Sequence, residues 1–429
     1  MPEHREFLTL EELRGSSRAL VAEFPHLARL EEVGRSAEGR PIELLTVGDG
    51  PRSVLLVGVP HPNEPIGTLT AEFLSRLLCE NAPLREHLGI TLHVIKAADP
   101  DGLVLNEGWF KGVFSPLRYA LNYYRPPHRE QVEWSFPVSY RSLQFSTPSP
   151  ETAAVMRVME RVRPALFYSL HNAGFCGVYF YLSDDRPALI PALHALVAAQ
   201  GLPLHRGEPE VPYLRTLAPA VYRLFGIAEH YDYLAESLGE DPAPLIEAGT
   251  SSDDWLSGIC DAFSIVCELP YYTSPRLEDT SPAGLSRREA VRQGLARAEG
   301  IHAEVARRFA ELAAPEHRLT RSVSDYVRKT PKRLAAEAAH AAEPAYTREA
   351  TRAEALDATA CRAFYHLLYL GEVHRLAVMS REQRLADVIE AYLLRHMGDV
   401  ERESALAVLP IRPLVAVQAG TGLLAMASG

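Results

Sequence analysis

Long apolar runs are missing from this chain. Its most apolar stretch, "ALAVLPIRPLVAVQAGTGLLAMASG" at the C-terminal end, is broken by Pro410, Arg412 and Pro413, which excludes a bilayer span and with it a membrane partner. The opening "MPEHREFLTLEEL" is acidic and helical in pattern rather than basic and apolar, so a secretory leader is not expected and the reading is a cytoplasmic protein. Lysine is scarce: only Lys96, Lys111, Lys329 and Lys332 occur, and positive charge rests on arginine. Cysteine is sparse and unclustered (Cys79, Cys176, Cys260, Cys267, Cys361), an odd set that argues against a disulfide framework or a Cys-type zinc site and for reduced, buried thiols. An excess of basic charge is also absent. The net charge of −11 argues against a nucleic-acid or anionic-surface partner. There is no internal repeat and no low-complexity linker.

What remains is the composition of an ordinary globular protein, 47% hydrophobic and 23% charged over 429 residues, long enough for a large α/β domain plus an appendage. Apolar periodicity predicts an opening helix within 8–27, then a hairpin and a buried strand in "LARLEEVGRSAEGRPIELLTVGDGPRSVLLVGV". "NEPIGTLTAEFLSRLLCE" reads as the next helix and "ITLHVIKAADPDG" as the next strand. Residues 103–149, rich in Tyr, Pro and Arg and without sustained periodicity, read as a long ordered loop region, a kind of segment that is more often functional than idle. "SPETAAVMRVMERV" predicts a helix opened by Pro150, while "PALFYSL", "CGVYFYLS" and "DAFSIVCELP" predict strands. A helix over about 286–312 closes a domain of residues 1–314, and 315–429 reads as a mainly helical extension that docks on the domain or on a second subunit.

Three of these strands end on chemistry. "LLVGV" leads into His61 and Glu64, "LFYSL" into His171, and "FSIVCE" into Glu268. Singly, each has an ordinary explanation: an exposed turn among Pro60, Pro62 and Pro65, a hydrogen-bonded core histidine, a strand-end carboxylate facing water. Jointly they are more informative, because ligand crevices of open α/β sheets lie at the carboxyl ends of strands. Two imidazoles and a carboxylate are a common three-ligand set for catalytic zinc, with a fourth position left for water, and a nearby unbound carboxylate then acts as general base.

The order of these segments resembles the zinc metallocarboxypeptidases of the carboxypeptidase A-like fold. The resemblance is carried by "GRSAEGRPI" (34–42), "HPNE" (61–64), "DPDG" (99–102), "SPET" (149–152), "SLHNAG" (169–174), "GTSSDDW" (249–255) and "VCEL" (266–269), collinear over roughly residues 5–315. It implies a mixed, mainly parallel central sheet flanked by helices, one Zn²⁺ per chain held by His61, Glu64 and His171, and Glu268 as general base. The substrate pocket departs from the family pattern. Where an oxyanion arginine is expected the chain has Phe110 beside Lys111. Where an Asn-Arg pair grips the terminal carboxylate it keeps Asn122 but has Tyr123, with Arg125 two further on, and the capping tyrosine falls at Ile246. A tyrosine cannot supply the bidentate cation a carboxylate prefers, so Arg118, Arg125 and Arg141 of the loop region, with Lys111 and Asn122, are the candidate substrate groups.

The resulting expectation is a zinc-dependent metallopeptidase of the carboxypeptidase type, a hydrolase cleaving a C-terminal amide of a small or specialised peptide-like substrate. An N-acyl amino acid deacylase of the desuccinylase or aspartoacylase type is the alternative. A non-catalytic binding protein on the same fold is the third reading. The extension is expected to cover the pocket or to form a homo-oligomer interface.

Overall fold

The computed structural model describes residues 2–428. Its centre is a nine-stranded mixed sheet. The strands Ile90–Ile95, Arg52–Gly58, Leu166–Leu170 and Phe263–Glu268 lie side by side in that order and run parallel. The hairpin Ala28–Arg35/Pro41–Val47 adds antiparallel to one flank, and Tyr179–Leu182 adds antiparallel to the other.

Central parallel strands are covered on both faces and so read as continuous apolar runs, as "SVLLV" does. Successive side chains point to opposite faces. Val54 and Leu56 accordingly join a core with Leu69, Leu74 and Val415, whereas Leu55 and Val57 join a second core with Val155, Val158 and Met159. The first face is covered by the helix Ile66–Glu80 and the second by Pro150–Val162, whose Ser149 side chain accepts the Thr152 N–H as a cap. The approach of the first helix to the sheet is close: a Cβ at Gly67 would stand 2.6 Å from that of Leu170.

The "GRSAEGRPI" and "DPDG" segments meet at one buried carboxylate. Asp101 accepts from Ser36 Oγ at 2.6 Å and from the Glu38 N–H at 2.9 Å, and pairs with Arg40 and with Arg318, each at 2.7 Å.

Residues 103–149 are less irregular than the sequence suggests. They contain the helix Pro116–Asn122, a hairpin Val138–Tyr140/Leu143–Phe145 and single helical turns. At seven residues that helix is too short to show a period, and its signals are a Ser115 cap and a proline at its first position.

Beyond residue 314 come the helices Arg318–His340, Arg362–Met379, Gln383–Ser404 and Ile411–Ala427. Leu319, Phe364, Leu393 and Val415 from these four share one buried cluster with Val54 and Tyr168 of the sheet, so the core runs without a break past residue 314. None of the helices is long and apolar enough to cross a membrane among the described residues. All five cysteines are unpaired.

Candidate metal centre and cavity

Register brings the chemistry together. Gly58 pairs with Leu170 and Val266 with Ser169, so one step past the strand puts Val59 level with His171, and two steps past Val266 put Glu268 level with it too. Val59 then turns the chain with φ of 56°, a left-handed conformation that a β-branched residue rarely adopts. That turn sends 60–64 back across the sheet edge.

The ligand atoms of His61, Glu64 and His171 lie within 4.8 Å of one another, and all three residues are buried. Glu64 Oε2 faces His171 Nδ1 at 3.1 Å and accepts the Asn172 N–H at 3.0 Å. His61 Nδ1 is buried and has no hydrogen-bond partner. Burial, with Arg125 and His171 adding, holds the His61 imidazole well below its ordinary pKa, so it is neutral and keeps a lone pair. An orphaned imidazole nitrogen facing a second imidazole and a carboxylate is a donor set that suits a divalent metal. His171 turns its other nitrogen outward, with Ser169 Oγ at 2.9 Å and Glu133 Oε2 at 3.5 Å. A metal-binding imidazole is commonly oriented by such a carboxylate.

Glu268 Oε1 stands 3.8 Å from His171 Nδ1. Burial pushes its carboxyl well above the ordinary range, His171 opposes, and Glu64 adds. The carboxylate is therefore more basic than one in water, the property wanted of a general base.

Of the candidate substrate groups, the structure brings in only Arg125, whose Nη1 is 2.9 Å from Glu64 Oε1. The other four lie elsewhere. Lys111 pairs with Glu12 at 2.7 Å on the surface, Arg118 donates to the Gly108 carbonyl, and Asn122 donates back to the Arg118 carbonyl at 2.9 Å; none lines the cavity. Arg118 and Asn122 are held by carbonyls of their own turn, whereas Lys111 is drawn off by Glu12 of the opening helix. Arg141 is also outside, paired with Asp232 at 3.0 Å. Tyr123 is buried edge-on to Tyr119 and Tyr369, and Ile246 packs with Leu143, Ile227 and Tyr231.

The sequence reading missed Glu133. It is 6% exposed and accepts from Ser252 Oγ at 2.6 Å and from the Ser252 N–H at 3.0 Å. Burial works against its charge, but hydrogen bonds from His171 and Ser252 hold it below the ordinary carboxylate range. Only "EQVEW" surrounds it in sequence, and nothing there sets it apart from a surface glutamate.

The extension, expected to cover the pocket or to form an oligomer interface, contributes to the cavity. The cavity at the metal cluster measures about 740 Å³ and takes one wall from it, including Tyr326, Arg333, Tyr365 and Tyr369. Tyr365 Oη accepts the N–H groups of Gly174 and Phe175 at 3.0 and 3.1 Å. Glu372, fully buried, accepts the Arg125 N–H at 3.2 Å, and Arg375 donates to the carbonyls of Asn122 and Tyr123 at 3.0 Å each. Helix and loop approach so closely that a Cβ on Gly371 would stand 1.8 Å from the Ala120 carbonyl oxygen. Gln418 Nε2 donates to the His171 carbonyl at 2.9 Å and to that of Cys267 at 3.5 Å, while its Oε1 accepts from Thr70 at 2.8 Å.

The family model described as zinc carboxypeptidase matches residues 15–271. Carboxypeptidase D of Anas platyrhynchos is 21% identical over 284 residues, 61% of this chain and 19% of that protein. Carboxypeptidase SOL1 of Arabidopsis thaliana is 22% identical over 151 residues, 30% of this chain and 31% of that one. The chain thus spans less than a third of the length of these curated relatives. Among solved structures, carboxypeptidase A of Helicoverpa armigera is 17% identical with a TM-score of 0.40, covering 62% of this chain and 65% of that one. The metallo-carboxypeptidase of Burkholderia cenocepacia is 20% identical with a TM-score of 0.35, covering 61% and 60%.

Proposed function

Because the chain belongs to the zinc carboxypeptidase family, we propose that it is a zinc-dependent exopeptidase that removes a C-terminal residue from a small peptide-like substrate, with one Zn²⁺ held by His61, Glu64 and His171. The observation that carries this reading is the buried His-Glu-His cluster with Glu268 beside it at one end of the parallel strands. A divalent ion there supplies Lewis acidity and makes water a nucleophile at neutral pH.

The protein's own groups do the rest. Glu268 takes the proton of the attacking water and returns it to the departing amine, a role its raised basicity suits. Arg125, held charged by Glu64, lines the cavity beside the cluster and would take the negative charge that develops on the scissile carbonyl. Glu133 and Ser169 fix the ring of His171. Trp134 and Phe225 give the cavity an aromatic wall. Free thiols throughout the chain support a reducing compartment, and we place the enzyme in the cytoplasm.

The test is turnover of a panel of N-blocked dipeptides beside N-acyl amino acids. We expect the dipeptides to be cleaved, and Glu268→Gln to keep its metal while losing roughly 10²–10⁴-fold in kcat. Cleavage of the acyl amino acids alone would replace the peptidase reading with a deacylase, and full activity in Glu268→Gln would remove its role as base.

A further inference from the structure

The helix Gln383–Ser404 buries one side. Ala386, Ile389, Leu393, Met397 and Val400 recur on it at three- and four-residue steps and face the core. The opposite side of such a helix ordinarily carries charged and polar groups, because it meets only water. Here it also carries Val388, Ala391 and Leu394, all exposed, Leu394 by 62% and Val388 by 45%. The long helices Arg287–Ala310 and Arg318–His340 expose no large hydrophobic side chain among the described residues. The helix Arg362–Met379 adds to the patch. His374 Nε2 lies 3.8 Å from Glu390 Oε2, and one turn past His374 that helix ends on Val378 and Met379, both half-exposed. No residue of Gln383–Ser404 lines the cavity, so this surface is separate from the metal centre.

The symmetry of the face identifies what covers it. Ala391 stands at the centre, with Val388 three residues before it and Leu394 three after. Asp387 stands four before and Arg395 four after, and both are exposed. With 3.6 residues per turn, these five positions fall within about a third of the helix circumference. A second copy of the helix, antiparallel and related by a two-fold axis at Ala391, sets Val388 level with the other copy's Leu394 and Asp387 level with its Arg395. The small Ala391 lets the two backbones approach at the axis. A parallel arrangement would instead set Asp387 against Asp387 and Arg395 against Arg395, which repel. Both charges are available for pairing. Asp387 accepts from Gln383 of its own helix at 2.7 Å, and Arg395 makes no hydrogen bond or ion pair among the described residues.

We propose that the face 387–395 is the interface for a second copy of this chain, in which the two helices pair antiparallel about Ala391 and Asp387 and Arg395 fix their register. The extension then works on two sides: the inner one walls the cavity and the outer one joins two chains. This inference does not rest on the peptidase reading.

The experiment is sedimentation equilibrium of the full-length protein beside Leu394→Asp, Asp387→Arg, Arg395→Asp and the double variant Asp387→Arg with Arg395→Asp. All of these change exposed side chains, and each variant should melt with wild type. Wild type should reach twice the chain mass by about 100 µM, within the range open to a small apolar interface. Leu394→Asp should stay monomeric throughout. Each single charge reversal places like charges level with each other twice in the dimer and should weaken association at least about tenfold, and the double variant should recover it. Wild type that is monomeric at every concentration would overturn the proposal, as would a dimer that Leu394→Asp and both single reversals leave intact. A double variant that stays as weak as the single ones would overturn the antiparallel register.

Discussion

Glu372 is a carboxyl buried on the helix Arg362–Met379. It has no exposed surface, its Oε2 has no partner, and its Oε1 takes one backbone N–H from Arg125. Burial pushes its carboxyl from 4.5 up to about 8. Between those two values the folded protein holds a proton there that the unfolded chain has released, so stability falls as pH rises through this window and the loss is complete above the folded value. Glu372→Gln keeps an oxygen for the Arg125 N–H and removes the ionisation. We predict a melting temperature above wild type at pH 9 and close to wild type at pH 5, with a gain of roughly 2–5 kcal/mol at the alkaline end. Parallel melting curves across that range would show that the carboxyl is hydrated and the helix looser than described. Nothing in "YLGEVHRL" reveals such a residue, because a glutamate within a helix ordinarily faces water.

At the scale of elements, strands and long helices were legible because their periods are imposed by the sheet they cover. The strand ends at Gly58, Leu170 and Glu268, and hence the four residues His61, Glu64, His171 and Glu268, could be placed from pattern and resemblance. Loops followed a different logic. Whether Arg118 or Asn122 reaches a cavity depends on how a turn satisfies its own backbone, and no local pattern encodes that. The helix Ile411–Ala427 illustrates the remaining gap: its apolar run predicts docking but not where. Its Gln418 ties the carbonyl of His171 to that of Cys267, one strand end to the next. Gln418→Leu strands two buried carbonyls, so it should destabilise by roughly 2–5 kcal/mol. It should also weaken metal binding about tenfold in chelator competition. Unchanged metal affinity in a less stable protein would mean that this helix supports the fold and not the site.

For the whole molecule, the fold class was readable and the division of labour was not. A boundary after residue 314 follows from composition, yet the core crosses it and the cavity is built from both sides of it. The family-matched part supplies the reactive cluster, while the helices that follow brace the Arg125 loop, cap the turn after His171 and close a wall. All of this presumes that the buried imidazoles and carboxylate hold a metal, so the most direct measurement is elemental analysis of purified wild-type protein beside His171→Ala. The account predicts about one zinc per chain in wild type and loss of most of it in the variant. Zinc retained by His171→Ala, or none taken up by wild type after incubation with zinc, would contradict it.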